Sequence, residues 1–200
     1  MNHNNTPLHI VGIGGTLRKS STSLSALKAA LSAAETAGAV TTLLDLHILN
    51  LPMYDPELDY TDYGAHVHQY ISTVRQADAL LISTAAYHGS LAGVTKNAID
   101  LLDFLPKRNG ESYLHNIPVG LIATAGGDQA AVNTIGTLVQ IVHSLRGTVL
   151  PLSVPIHNAK SAIAPDGRIT DGKTAVRLEK LGELLVETAA RFQSKPTRIG

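Results

Sequence analysis

Three stretches of the chain gather hydroxyls, glycines and a guanidinium: GIGGTLRKSSTS over 12–23, STAAYHGSLAG over 83–93 and TAGGDQ over 124–129. Hydroxyl and guanidinium groups donate strong hydrogen bonds to anionic oxygens, and glycine lets backbone N–H groups approach a ligand closely. The first stretch misses two nucleotide patterns. A GxGxxG fingerprint beginning at Gly12 requires glycine at position 17, where Leu17 stands, and Lys19-Ser20 lacks the glycine of a P-loop. It keeps Thr16, Arg18, Ser20, Ser21 and Ser23 around the start of a helical segment, where unpaired N–H groups and the positive end of the helix dipole favour a phosphate. That set suits the terminal phosphate of a mononucleotide. The competing use of the same residues is to cap the helix, with Arg18 and Lys19 in water. In the third stretch, Gly126 and Gly127 admit backbone N–H groups to a flat ligand, and glycine equally serves a tight strand-to-helix turn. Tyr87, in the second, is placed either at the edge of such a ring or in packing.

Other chemistries find little support in the residues. With no cysteine, disulfides, thiolate metal sites and a cysteine nucleophile are excluded, and a reducing compartment, the cytoplasm, is the expected location. The 9 histidines are scattered, and His66 and His68 stand two apart on a helical segment, pointing to different faces, so no shared metal is expected. No GxSxG elbow marks a serine hydrolase. Acidic and basic residues number 16 each, which speaks against a nucleic-acid or anionic-membrane partner. No window approaches the roughly 18 apolar residues that span a bilayer, and MNHNNTPL lacks the features of a signal peptide. A chain of 200 residues with 44% hydrophobic and 16% charged types suits one domain over 1–200, with 1–7 and 194–200 as frayed tails.

The elements that must position the three stretches alternate in period. Nearly continuous apolar runs at His9–Ile13, Val40–Leu46, Ala79–Ser83, Pro118–Thr124 and Thr148–Val154 are expected as parallel strands buried on both faces. Helical period fills Thr22–Ala37, His66–Gln76, Ser90–Leu105, Gln129–Arg146 and Gly172–Gln193, with Ser90 as an N-cap and Gly38 and Gly147 as stops. The expected architecture is α/β: a flavodoxin-like, doubly wound, five-stranded parallel sheet in the order 2-1-3-4-5 with helices on both faces. Ligands of such sheets sit outside the carboxyl ends of the strands, beside the point where strand order reverses. The three stretches follow strands one, three and four.

These residues also carry a family likeness. GTLRKSSTS resembles the GSLR-x-x-S-x-N phosphate loop of the NADPH-dependent FMN reductases, with Thr16, Arg18, Ser21 and Ser23 at the matching positions. TAAYHGSLAGVTKNAIDLL is similar to that family's TPEYNGS-x-PG-x-LKNA-x-D, matching at Tyr87, Gly89, Ser90, Gly93, Lys96, Asn97 and Asp100. TAGG at Thr124–Gly127 resembles its third loop. Three positions depart: Ser23 replaces a frequent Asn, Ala85-Ala86 replace Pro-Glu, and His88 replaces Asn. Backbone N–H donors survive such exchanges.

The resemblance implies FMN as cofactor and NADPH or NADH as hydride donor. It places the phosphate at Thr16, Arg18, Ser20, Ser21 and Ser23, the ribityl chain and ring along Ala85, Tyr87, His88 and Gly89, and the ring beside Thr124, Ala125, Gly126 and Gly127. No side chain is assigned as catalytic, because the flavin carries the chemistry. Arg18, Lys107 and Arg108 are candidates for a nucleotide 2′-phosphate, while Lys96, Asn97 and Asp100 fall to the helix surface or an interface. A homodimer or homotetramer packing the region from Phe104 into PKRNGESY is implied, its second subunit closing the flavin site. The acceptor is a quinone, an azo compound, or a second FMN passed to a flavin-dependent monooxygenase. The rival on the same fold is a flavodoxin-like electron carrier. The zero net charge, the absence of Trp and an aromatic content of 4% weigh against the acidic docking face and stacked rings of such a carrier. A flavin-free protein on this fold is the third reading.

Overall fold

The structure, a computed structural model, describes residues 6–107, 110–111 and 113–194. Arg108 and the outer parts of both expected tails, 1–5 and 195–200, lie outside the described residues. Along the chain come β1 (His9–Gly14), α1 (Thr22–Thr36), β2 (Val40–Asp45), α2 (Leu46–Leu49), α3 (Ala65–Arg75), β3 (Ala79–Tyr87), β4 (Ser90–Leu91) and α4 (Gly93–Asp100). There follow β5 (Pro118–Thr124), α5 (Asp128–Ser144), β6 (Thr148–Ile156), α6 (Ala159–Ala162) and α7 (Gly172–Gln193), with short 3-10 turns at Tyr60–Asp62 and Leu101–Phe104.

Five strands run parallel in the order β2-β1-β3-β5-β6. The expected count of five, in the order 2-1-3-4-5, is therefore corrected to six: the parallel strands keep the expected neighbours, and β4 is an addition paired antiparallel with β3 alone. β3 continues past Ser83 to Tyr87, and His88 (φ +52°) and Gly89 (φ +87°) turn it back into β4. A two-residue turn of this kind needs positive φ at both positions, a requirement that Asn-Gly advertises and His-Gly does not. Ser90, expected as the N-cap of a helix over Ser90–Leu105, accordingly lies in β4. The helix starts at Gly93 from Ala92, whose N–H donates to Thr84 Oγ1 at 3.1 Å.

Alternation along the buried strands splits the core into two layers. Val11, Ile13, Leu80 and Ile82 face α3, α4 and α5, whereas Ile10, Ala79, Leu81 and Ile122 face α1 and α7. Gly38 (φ +94°) closes α1 as expected. At the end of α5 the left-handed residue is Arg146 (φ +64°), and Gly147 next to it donates its N–H to the Val142 carbonyl at 2.9 Å. Gly147 is there for space: a Cβ on it would stand 2.8 Å from Val142 Cγ1.

Candidate active site at the carboxyl ends of the strands

β1 delivers the first stretch at Gly15 (φ +96°), and Ser21 caps α1, its Oγ accepting the Leu24 N–H at 3.3 Å. Thr16 is buried and its Oγ1 accepts the Arg18 N–H at 3.2 Å, fixing the backbone while the Arg18 side chain reaches solvent. Ser23 points inward. It is 0% exposed, its hydroxyl lies 2.9 Å from Ser21 Oγ, and its carbonyl accepts the Ser83 hydroxyl at 2.8 Å. The Thr22 hydroxyl donates to Thr124 Oγ1 at 3.3 Å, which sets the first turn of α1 over the end of β5.

The second and third stretches meet in the sheet, where Ala85 of β3 is the register partner of Thr124 of β5. At the base of the hairpin, Thr84 Oγ1 stands 2.9 Å from Thr95 Oγ1. Past β5, the Ala125 N–H donates to the Ile156 carbonyl at 2.9 Å, and the Ala125 carbonyl accepts the Ala159 N–H at 2.9 Å. Gly126 is exposed and Gly127 occupies the N-cap position of α5.

Between these ends lies a cleft of about 490 Å³, within the range of small-molecule and cofactor sites. One side is Thr16, Arg18, Ser20 and Ser21; the floor and rim are Ala85, Tyr87, Thr124, Ala125 and Gly126. Of the residues expected from the sequence, Ser23, His88, Gly89 and Gly127 do not line it. Thr22, Ser25 and Ala86 line it as well, and so does a whole wall that the motifs missed: Ala159, Lys160, Ile163, Ala164 and Pro165, after β6. HNAKSAIAP has no glycine cluster or hydroxyl run to announce it.

Among the described residues the lining holds no carboxylate, imidazole or thiol, and its two cations are Arg18 and Lys160. His66 Nδ1 and His68 Nε2 contact backbone carbonyls instead, of Leu49 at 2.7 Å and Tyr60 at 3.0 Å. Lys96 pairs with Asp100 on the surface of α4 at 2.6 Å. Asn97 is buried, accepting the Tyr54 N–H and donating to the Pro52 carbonyl, both at 2.8 Å, and so anchors the loop before α3. Asp103 accepts the hydroxyls of Tyr54 (3.0 Å) and Tyr113 (3.1 Å), and these bonds to a carboxylate raise the pKa of both phenols.

The family model described as NADPH-dependent FMN reductase matches residues 8–161. An NAD(P)H-dependent FMN reductase of Pseudomonas aeruginosa is 30% identical over 169 residues, 83% of this chain and 86% of that one. An NADPH azoreductase of Bacillus sp. (strain OY1-2) is 30% identical over 112 residues, 56% of this chain, and the match spans only 58% of that relative's length. Among solved structures, the flavoenzyme NAD(P)H:(acceptor) oxidoreductase of Paracoccus denitrificans superposes with a TM-score of 0.69 at 27% identity, over 92% of this chain and 98% of that one. Strand order, the cleft at the strand ends and these matches agree: the chain belongs to the NADPH-dependent FMN reductase family.

Proposed function

We propose that the cleft at the strand ends binds FMN and that the chain passes hydride from NADPH or NADH to it, with a small oxidant as final acceptor. The observation that carries this reading is the asymmetry of the cleft. Hydroxyls, Arg18 and the first turn of α1 gather at one side, Ala85, Ala86, Tyr87, Ala125 and Gly126 line the floor and rim, the wall after β6 is apolar apart from Lys160, and carboxylates are absent from the described lining although the chain has 16 of them. A phosphate and a flat ring need those two environments in that order.

When bound, the flavin supplies hydride acceptance and electron release in its own ring. The residues hold and shield. Thr16 fixes the backbone of Arg18 so that its guanidinium and the Ser20 hydroxyl face the phosphate side. Ser21 and Ser23 steady the start of α1, with Ser23 acting through Ser21 instead of touching the ligand. Gly126 presents backbone without a Cβ, and Tyr87, 44% exposed, borders the ring at the rim. His88 and Gly89 set the turn that carries Tyr87, and Gly127 starts α5.

The azoreductase among the relatives favours an azo compound as acceptor, beside a quinone or a second FMN handed to a monooxygenase. A homodimer or homotetramer in the cytoplasm, each chain a single FMN-binding domain, completes the reading. No helix among the described residues is long and apolar enough to cross a membrane. The test is a visible spectrum of the purified protein, FMN titration, and oxidation of NADPH and NADH with and without FMN. Absence of both FMN binding and FMN-dependent oxidation would end this reading.

A further inference from the structure

We infer that Lys160, outside every motif of the sequence, is the second cation for the FMN phosphate and acts from across the cleft opposite Arg18. The inference rests on the FMN reading above. A phosphate monoester carries about −1.5 to −2 charges at neutral pH, more than one guanidinium balances. Among the described residues the cleft is lined by two cations and no carboxylate, in a chain whose formal charge is zero. Among the described residues, the ion pairs involve Lys96, His115, Arg146, Arg168 and Arg191, so the charges of Arg18 and Lys160 are uncommitted.

Placement supports the same assignment. Although β1 and β6 lie three strand spacings apart in the sheet order, the Thr22–Thr124 hydrogen bond of 3.3 Å carries the start of α1 over β5, the direct neighbour of β6. One spacing is about 4.8 Å, within the span of a lysine's four-carbon stem. The backbone of Lys160 is also pinned. Its neighbour Ala159 donates to the Ala125 carbonyl at 2.9 Å, and Ala159, Ala162 and Ile163 are buried, leaving Lys160 on the open side of α6. That bond ties the residue before the lysine directly to the third stretch.

The experiment titrates the full-length wild type, Lys160→Met, Lys160→Arg and Arg18→Ala with FMN and with riboflavin, read by flavin fluorescence. Losing a charge-assisted contact at a partly hydrated site is expected to weaken FMN about tenfold in Lys160→Met, leaving riboflavin within about twofold, with Lys160→Arg close to wild type. An unchanged FMN affinity in Lys160→Met, or an equal loss for both flavins, overturns the role of Lys160. If Arg18→Ala still discriminates between the flavins in that case, the FMN reading stands without it. A wild type that binds neither flavin overturns both.

Discussion

Arg18 and Ser23 sit five positions apart in one polar stretch, and the fold uses them in opposite directions. Arg18 is exposed on the cleft wall, while Ser23 is sealed beneath Ser21, where its hydroxyl serves the cap of α1. Substituting Arg18 with Ala is expected to weaken FMN about tenfold and riboflavin hardly at all, since only FMN carries a phosphate. Paired binding titrations check this, and equal losses would remove Arg18 from the phosphate. A second prediction concerns Thr134 of α5, which is 0% exposed with no hydrogen-bond partner for Oγ1 among the described residues. An orphaned buried hydroxyl is destabilising, so Thr134→Val, equal in shape, is expected to raise stability by about 1 kcal/mol in chemical denaturation. A loss of stability would reveal a partner for the hydroxyl.

At the level of elements, long buried strands and helices were legible because their periodicity is a local consequence of two-sided burial. The β3–β4 hairpin was not, because His-Gly is a weaker signal for a turn with two positive φ angles than Asn-Gly or Asp-Gly, although histidine tolerates the left-handed conformation that His88 adopts. Ser90, a good cap by type, fell into a strand once that turn formed. Glycines in helices show the same dependence on surroundings. Gly182 of α7 packs on α1 so closely that a Cβ would stand 2.4 Å from the Ala30 carbonyl oxygen, whereas Gly136 of α5 has nothing within 4 Å. Gly182→Ala is therefore expected to lose about 1–3 kcal/mol by overpacking the α1–α7 contact. Gly136→Ala is expected to gain about 0.5–1 kcal/mol by restricting the unfolded chain. Denaturant midpoints of the two variants must move in opposite directions; movement in the same direction would refute the packing account.

For the whole molecule, charge is balanced in sum and unbalanced in place. Sixteen acidic and 16 basic residues cancel, yet among the described residues the lining of the cleft keeps two cations and no carboxylate. FMN affinity is accordingly expected to fall as ionic strength rises from about 0.01 M to 1 M, where the screening length contracts from about 30 Å to 3 Å. Riboflavin affinity should stay nearly flat, and parallel curves for the two flavins would contradict an electrostatic phosphate site. By itself the sequence determined the α/β class, the parallel neighbours and three of the four cleft walls, because glycine turns, hydroxyl runs and apolar strands are written in consecutive residues. Only the tertiary structure decided which hydroxyls face inward, that β3 doubles back on itself, and that Lys160 stands at the cleft. Those outcomes depend on which strand ends become neighbours after folding, as when the Ala159 N–H meets the Ala125 carbonyl, and no local pattern encodes such a meeting.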